Sequence, residues 1–164
     1  MPAAIRPLAE ADIDAVVALS LRAWAPVFES FRQVMGEGIY RHLYPDWSAM
    51  QAAAVERVLR DEAMHTWCAG DDGRPVGFVS VVHHGPDHDE PGSSEIEMIA
   101  VDPAAQRQGI AAALITHAVD RMREHGARLA VIGTGGDPGH APARAAYEQA
   151  GFTPLPLVRY YKLL

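Results

Sequence analysis

The alternation of apolar and polar residues predicts one strand and then a helical segment in the first 60 positions. Residues 3–8 fit a short strand, and residues 12–25 carry apolar side chains at helical spacing, which predicts an amphipathic helix that ends at Pro26. The helical pattern resumes over residues 28–60. It is interrupted at three turn-forming residues, namely Gly36, Gly38 and Pro45.

Strand-like patterns follow in the second part of the chain. Four strands are predicted, at residues 65–69, 75–82, 95–101 and 129–132. The glycine-rich residues 70–73 predict a hairpin turn between the first two of these strands. One or two further strands are predicted over residues 152–163, interrupted by Pro154 and Pro156.

Two more helices are predicted among the later strands. One begins at Gly109 and ends at Gly126, and the other runs from Pro142 to its end at Gly151. Helices that alternate with strands predict a mixed α/β fold. With 164 residues, of which 49% are hydrophobic, the chain is expected to form a single domain over residues 1–164.

Composition narrows the functional classes. The formal net charge of −7 argues against general nucleic-acid binding and suits a cationic partner slightly better. The one cysteine, Cys68, cannot form an internal disulfide, and no apolar run approaches the roughly 20 residues that cross a bilayer. The first residues lack the apolar core of a secretory signal. We therefore expect a cytoplasmic protein without a membrane partner.

A strand, a short turn and the start of a helix over residues 95–111 are the centre of the sequence. Asp102 and Pro103 end the strand, and Gly109 precedes the helix. The first turn of a helix presents unpaired N–H groups and the positive end of the helix dipole, so it can hold a phosphate without a lysine. This matters because the chain has one lysine, Lys162, and no G-K-S/T tripeptide, which excludes a Walker-type loop.

Two motifs resemble those of the GNAT N-acetyltransferases. Residues 106–111, QRQGIA, resemble the Q/R-x-x-G-x-G/A loop with which this family holds the pyrophosphate of acetyl-CoA. Residues 143–152, ARAAYEQAGF, resemble the family's A-x-x-x-Y-E-x-x-G-F motif and lie after the fifth strand, as in the family. The resemblance covers about residue 66 to the C-terminus. One departure is His140, which stands where the family often has asparagine.

The resemblance implies the GNAT acyl-CoA N-acyltransferase fold. Its central sheet would be mixed but mostly antiparallel, with six to seven strands flanked by helices, and the strands at 98–101 and 129–132 would splay apart to admit the pantetheine arm. The resemblance also implies acetyl-CoA as co-substrate, no metal, and direct transfer of the acetyl group to a primary amine of a small molecule, peptide or protein in a ternary complex. The residues implied in binding acetyl-CoA are Ile99, Ala100, Val101, Gln106, Arg107, Gln108, Gly109, Ile110, Ala111, Ala112, His140 and Tyr147.

Two residues are implied in catalysis. Tyr147 matches the family's tyrosine that lies beside the sulfur and protonates the departing thiolate. Glu95 stands where histone-type members carry a catalytic glutamate, and it would take a proton from the amine directly or through a water. Alternation places Glu97 on the same strand face as Glu95, so it is the second carboxylate considered. Cys68 is expected to be a core residue and not an acyl-carrying nucleophile.

Three other stretches of the sequence bear on alternative functions. The glycines of residues 133–139 suggest a dinucleotide loop, but the last glycine position of G-x-G-x-x-G falls on Pro138, which argues against it. The histidines and acids of residues 83–94 match no standard zinc spacing and predict a solvated loop. Five aromatic residues are expected either to pack between helices or to line the acceptor pocket, and these are Phe28, Phe31, Tyr40, Tyr44 and Trp47.

The main alternative function is a non-catalytic acyl-CoA-binding sensor or interaction module. Such a module would keep the cofactor loop and lack turnover, but the presence of both Tyr147 and Gly109 favours an enzyme. The aromatic pair Tyr160 and Tyr161, near a predicted sheet edge, suggests a homodimer.

Overall fold

The structure is a computed structural model that describes residues 3–70 and 74–164, so most of the predicted hairpin turn at 70–73 lies outside the described residues. The strands are β1 (Ile5–Pro7), β2 (Met64–Ala69), β3 (Gly77–His83), β4 (Ser93–Val101) and β5 (Leu129–Ile132). The helices are α1 (Ile13–Met35), α2 (Glu37–Leu43), α3 (Trp47–Arg60), α4 (Ile110–Glu124) and α5 (Ala141–Gln149). No helix within these residues combines the length and the apolar character needed to cross a bilayer.

One sheet holds the five strands in chain order, and it has helices on both faces. Neighbouring strands are antiparallel except β4 and β5, which are parallel. The core between the sheet and α4 includes Val79, Val81, Ile96, Leu114 and Met122. The core between the sheet, α1 and α3 includes Leu19, Val55, Cys68, Phe78 and Ala100. This arrangement confirms the predicted mixed, mostly antiparallel α/β fold.

Helix α1 continues through Pro26 to Met35, which corrects the expected end of the helix at Pro26. A proline inside a helix removes one backbone hydrogen bond and costs about 3 kcal/mol. Val27 and Phe28 follow directly and are only 9% and 7% exposed. Their burial, at about 1.5–3 kcal/mol for each side chain, offsets the cost and explains why the helix continues.

The C-terminal residues 152–164 form no strand, which corrects the expected six to seven strands to five. Pro154 and Pro156 each lack the N–H group that a ladder requires, so a continuous strand cannot form across them. The segment lies on the surface, and the Tyr160 side chain is 89% exposed. Its end reaches α2, where a Cβ added to Gly38 would lie 3.0 Å from Leu163 Cδ1. Gly38 is thus inside a helix and not at a break.

The predicted gap between β4 and β5 is present, but it begins only after the four residue pairs that join Ser93–Ile96 to β5. Residues 129–132 pair along their whole length with Ser93–Ile96 and do not splay from them. Beyond Ile132 the chain leaves the sheet, so residues 98–101 of β4 pair only with β3, and Glu97 pairs with neither neighbour among the described strands. The open half of β4 therefore faces the start of α4 on one side and the loop before α5 on the other.

Candidate active site

A cavity of about 610 Å³ lies beside the open half of β4. Its walls come from three helices, α1, α4 and α5, and from two strands, β4 and the end of β5. Among the residues that line it are Trp24, Val27, Glu97, Met98, Thr134, Gly139, His140 and Tyr147. A volume of this size is typical of small-molecule sites.

The loop between β4 and α4 is held open by local hydrogen bonds. The Asp102 carboxylate accepts from Ala104 N at 3.0 Å and forms an ion pair with Arg22 of α1. The Gln106 side chain donates to Val101 O at 3.2 Å. Gly109 then turns the chain with a φ of 79°, a left-handed conformation that glycine adopts without strain. These contacts fix the start of α4 next to the cavity.

The first turn of α4 fits a diphosphate. Its N–H groups have no partner within the helix, and the helix dipole places positive charge there. A Cβ added to Gly109 would meet nothing within 4 Å, so the space over these groups is open. Arg107, with a φ of 60°, lies beside them and supplies a guanidinium.

Most of the residues predicted to bind acetyl-CoA lie around the cavity. Those that line it are Ile99, Ala100, Val101, Gln106, Arg107, Gly109, Ile110, Ala111, Ala112, His140 and Tyr147. Gln108 is not among the lining residues. The predicted strand, loop and helix thus come together with the predicted second motif, although they are separated by more than thirty residues in the sequence.

Tyr147 reaches the cavity from the last turn of α5, with its ring against Phe152 at a centroid distance of 6.4 Å. Burial raises the pKa of Tyr147 to about 12, because the phenolate would lose its hydration there. The hydroxyl is therefore protonated at neutral pH and can donate to an anion in the cavity.

The two carboxylates of β4 are not equivalent, because a β-bulge lies between them. The register with β3 shifts between Ser80 and Val81, so Glu97 has no partner residue there. Ile96 packs with the α4 core and Met98 with the α1 core, which corrects the expectation that simple alternation holds across this stretch. Glu97 lines the cavity, whereas Glu95 does not.

The Glu95 carboxylate is held by a histidine. Its Oε2 lies 2.9 Å from His84 Nε2, and the His84 ring stacks on His88 at a centroid distance of 3.7 Å. Nearby, the His83 ring stacks on His125, and burial together with His125 lowers the pKa of His83 to about 4. Within the described residues, no group of three His, Cys, Asp or Glu side chains converges to hold a metal ion.

The aromatic residues of α1, α2 and α3 pack against one another and are not among the lining residues. Phe28 stacks on Trp47 at 4.7 Å, and Phe31 stacks on Tyr44 at 5.7 Å. The packing alternative is therefore the one observed. Phe31 also touches the site indirectly, because its ring lies 5.6 Å from that of His140.

Cys68 is fully buried in the core formed with α1 and α3 and does not line the cavity. Burial raises the pKa of the Cys68 thiol to about 12. A protonated, enclosed thiol is a poor nucleophile, in agreement with its expected role in the core.

Two residues beside the cavity, Ser30 and Asp137, were not singled out from the sequence. Asp137 accepts from Ser30 Oγ at 2.6 Å and bonds His140 Nδ1 at 2.5 Å. Ser30 and Asp137 are 107 positions apart, so no local motif joins them. The available signal was the glycine-rich stretch 133–139, whose close backbone approaches are required here for packing.

A family model for acetyltransferases of the GNAT family matches residues 24–152. The chain belongs to the GNAT acetyltransferase family. The mycothiol acetyltransferase of Rhodococcus jostii (strain RHA1) is 27% identical over 160 residues, which are 90% of this chain and 50% of that protein. That of Beutenbergia cavernae is 35% identical over 95 residues, which are 58% of this chain and 30% of that protein. The chain therefore spans half or less of the length of these curated relatives.

Solved structures show the same fold. A putative GNAT acetyltransferase from Desulfovibrio desulfuricans has a TM-score of 0.67 at 23% identity, with 92% of this chain and 84% of that chain covered. The structure of AAC(6')-Iy with the bisubstrate analogue CoA-S-monomethyl-acetylneamine has a TM-score of 0.64 at 20% identity, with 98% and 97% covered. The Escherichia coli ribosomal-protein-S18-alanine N-acetyltransferase has a TM-score of 0.65 at 22% identity, with 95% and 80% covered.

Proposed function

We propose that this domain transfers the acetyl group of acetyl-CoA to a primary amine by direct attack in a ternary complex. The observation that carries the proposal is the single cavity that joins the open half of β4, the first turn of α4 and the Tyr147 side chain. A thioester is already reactive, so the site mainly has to position the amine, stabilise the oxyanion and manage protons.

The α4 end of the cavity would hold the diphosphate of the coenzyme. The N–H groups of Ile110, Ala111 and Ala112 lie at the helix start, and Arg107 adds a charge-assisted contact. Residues Ile99 to Val101 would offer backbone groups to the pantetheine arm, since β5 does not cover them. The reactive carbonyl would then lie deeper, between β4 and α5.

Tyr147 is proposed as the acid that serves the departing sulfur. Its raised pKa keeps the hydroxyl protonated, and a thiolate leaving into the same apolar surroundings gains from a hydrogen bond at once. Glu95 stays a candidate for the proton acceptor. Since it is bonded to His84 and does not line the cavity, it would act through a water. Glu97 would need no such relay.

For the acceptor we propose a chemical class, a cationic primary amine, and no particular compound. The net charge of −7 and the Glu97 carboxylate in the cavity favour a cationic amine. The names of the similar proteins suggest a test panel: neamine, a peptide with an N-terminal alanine, and an unrelated polyamine such as spermidine.

Two measurements test the proposal. Calorimetry with coenzyme A is expected to show binding that weakens about fivefold to tenfold in Arg107→Ala, which loses a charge-assisted contact at an exposed site. The neighbouring Gln108→Ala is the matched control and should bind as the wild type does. Release of free thiol from acetyl-CoA is then followed with each amine of the panel. Coenzyme binding without thiol release for any amine would favour the non-catalytic acyl-CoA-binding sensor. No coenzyme binding would contradict both the enzyme and the sensor.

We further propose a homodimer in which the outer edge of β5 takes part. Within the described residues no strand pairs with that edge, and the C-terminal segment exposes several apolar side chains that a second copy could cover. The side chains concerned are Leu155, Leu157, Val158 and Tyr160. Light scattering on the full chain and on Leu157→Asp tests this, since the charge should shift the mass toward the monomer.

We also propose that the chain forms a single domain and that it is located in the cytoplasm. The described elements share one sheet, which supports a single GNAT domain over residues 1–164. One buried thiol without a disulfide partner suits a reducing compartment, which supports a cytoplasmic location. Limited proteolysis and cell fractionation test these two points.

A further inference from the structure

Three side chains form a hydrogen-bonded network in one wall of the cavity. Ser30 comes from α1, Asp137 from the loop after β5, and His140 from the turn that leads into α5. The Asp137 carboxylate accepts from Ser30 Oγ at 2.6 Å and from Gly139 N at 3.1 Å, and it lies 2.5 Å from His140 Nδ1. The side chains of Asp137 and His140 are only 9% and 15% exposed.

The hydrogen bonds fix the protonation states of this network. Burial opposes the charge of Asp137, but the bonds from Ser30 and His140 hold the pKa of this carboxyl below its ordinary value. An ionised carboxylate only accepts, so Nδ1 of His140 must be the nitrogen that carries a proton. In the neutral imidazole, Nε2 is then left with its lone pair.

The Nε2 atom is available to a ligand. Among residues 3–70 and 74–164, no side chain or backbone group bonds it, and it is not enclosed like His117 Nε2, which is buried without a partner. His140 itself lines the cavity, as Tyr147 and Glu97 do. An imidazole that lines a cavity, with one nitrogen fixed by a buried carboxylate and the other bonded by none of the described groups, is the arrangement of a general base.

The backbone packs closely around the Asp137 and His140 side chains at two glycines. A Cβ added to Gly135 would lie 2.4 Å from Asp137 Oδ1 and 2.5 Å from His140 Nδ1. A Cβ at Gly139 would lie 2.6 Å from Ser30 Cβ. Arg144 Nη1 donates to the carbonyl oxygens of Gly135 and Asp137 at 2.7 and 2.8 Å, which fixes the loop from the other side.

We infer that His140, positioned by Asp137 and Ser30, is the group that takes the proton from the acceptor amine. The inference rests on the proposed acetyl transfer and deepens it. His140 Nε2 removes one proton from the ammonium form of the acceptor, and this proton later returns to solvent. The neutral nitrogen attacks, the C–N bond forms and the C–S bond breaks. The second proton lost by nitrogen balances the one that sulfur gains through Tyr147.

His140 meets the requirements for this role better than Glu95 does. It lines the cavity and has an open nitrogen, whereas the Glu95 carboxylate is bonded to His84 and lies outside the lining residues. The charged groups on the elements packed against His140 are Asp137 on its own loop, Arg144 of α5, and the Glu29 and Arg32 pair on α1. Of these, only the Asp137 carboxylate bonds the imidazole.

The experiment compares the wild type with His140→Asn, Asp137→Asn and Glu95→Gln, using the amine of the panel that the wild type acetylates fastest. Asparagine is the residue that the family often carries at this position, so the fold of the loop and coenzyme binding should be kept, but it cannot take a proton. We expect kcat/KM of His140→Asn to fall about 100-fold at pH 7. The loss should shrink as pH approaches the range where alkyl amines deprotonate, about 10.4 for lysine. Affinity for coenzyme A should change less than threefold.

Asp137→Asn separates positioning from a merely structural role. It removes the counter-charge of the imidazolium, so the acidic limb of the pH profile should move to lower pH. Loss of a buried carboxylate that accepts three hydrogen bonds should also lower the melting temperature, so the pH profile is the readout that a merely structural role would not move. Nitrogen NMR of the wild type should show His140 with its proton on Nδ1. Glu95→Gln tests the rival proton acceptor: an acidic limb that moves in this variant assigns the proton to Glu95, and one that moves only in Asp137→Asn assigns it to His140.

Three results would overturn the inference. They are wild-type turnover and pH profile in His140→Asn, an acidic limb that moves in Glu95→Gln instead, or an Nε2-protonated His140 in the NMR spectrum. The last measurement needs no turnover and so applies even if a variant folds poorly. A wild type that binds coenzyme A but acetylates no amine would instead remove the proposed function, which is a distinguishable outcome.

Discussion

Gly139→Ala should damage the site from a position that carries no side chain. Gly139 is not in a left-handed conformation, so alanine brings no backbone strain, and its effect is one of space alone. The new Cβ would lie 2.6 Å from Ser30 Cβ and 3.0 Å from both Ser30 Oγ and Asp137 Oδ2. Those atoms belong to a helix and to a bonded carboxylate, so they cannot move away cheaply.

The magnitude follows from overpacking. Forcing a methyl group into a filled site costs about 1–3 kcal/mol, which for a chain of this size lowers the melting temperature by about 2 to 12 °C. The displaced Ser30 and Asp137 should also release His140, so kcat/KM should fall together with stability. Calorimetric melting and the thiol-release assay measure the two effects on the same samples.

Gly136→Ala is the matched control in the same loop. A Cβ there meets nothing within 4 Å, and Gly136 also lies outside the left-handed region, so its stability should stay within about 0.5 kcal/mol of the wild type. In a Ser30→Gly background, Gly139→Ala should cost little stability, because Ser30 Cβ and Oγ are then absent. This non-additivity would identify the contact between residues 30 and 139 as the cause of the destabilisation. Equal melting temperatures for Gly139→Ala and Gly136→Ala would refute the reasoning.

Three further predictions concern single groups. Tyr147→Phe should lower kcat about tenfold to 100-fold while calorimetry shows unchanged coenzyme affinity, and unchanged kcat would exclude the acid role. Cys68 should resist a thiol reagent at pH 8 until the chain unfolds, since its pKa is raised to about 12; rapid labelling of the folded protein would contradict its burial. Asp12→Asn should cost about 3 kcal/mol near pH 7, because it leaves Arg6 without its buried partner. The hydrogen bond from Arg6 lowers the pKa of Asp12, so this stabilisation is fully present above about pH 4 and is lost as the pH falls through the lowered pKa. Urea unfolding of the wild type and of Asp12→Asn, at pH 7 and at acidic pH, measures the difference.

The local motifs were predictable from sequence because their residues are neighbours in the chain. Gly109 at a helix start and Tyr147 five residues before Phe152 need only short spacings to be recognised. The burial of Val27 and Phe28, which carries α1 past Pro26, depends on residues far along the chain. A local proline signal therefore gave the wrong helix end.

The chemistry of the cavity was harder to predict, because it depends on register and on long-range contacts. Period-two alternation placed Glu95 and Glu97 together, and a bulge opposite Ser80 and Val81 separated them. The partner of Asp137 lies on α1, which no spacing rule connects to a loop after β5. His140 was recognised only as a departure from the family's asparagine, while the carboxylate that positions it was not.

The short β5 has a consequence for how such a domain can diversify. In the proposed function, a donor that completes the uncovered half of β4 would be recognised through main-chain atoms, which every sequence possesses. Replacements of cavity-lining side chains such as Trp24 would then remodel the acceptor pocket without loss of the common acyl donor. Selection for new amines is thereby separated from the requirement to keep one universal reagent.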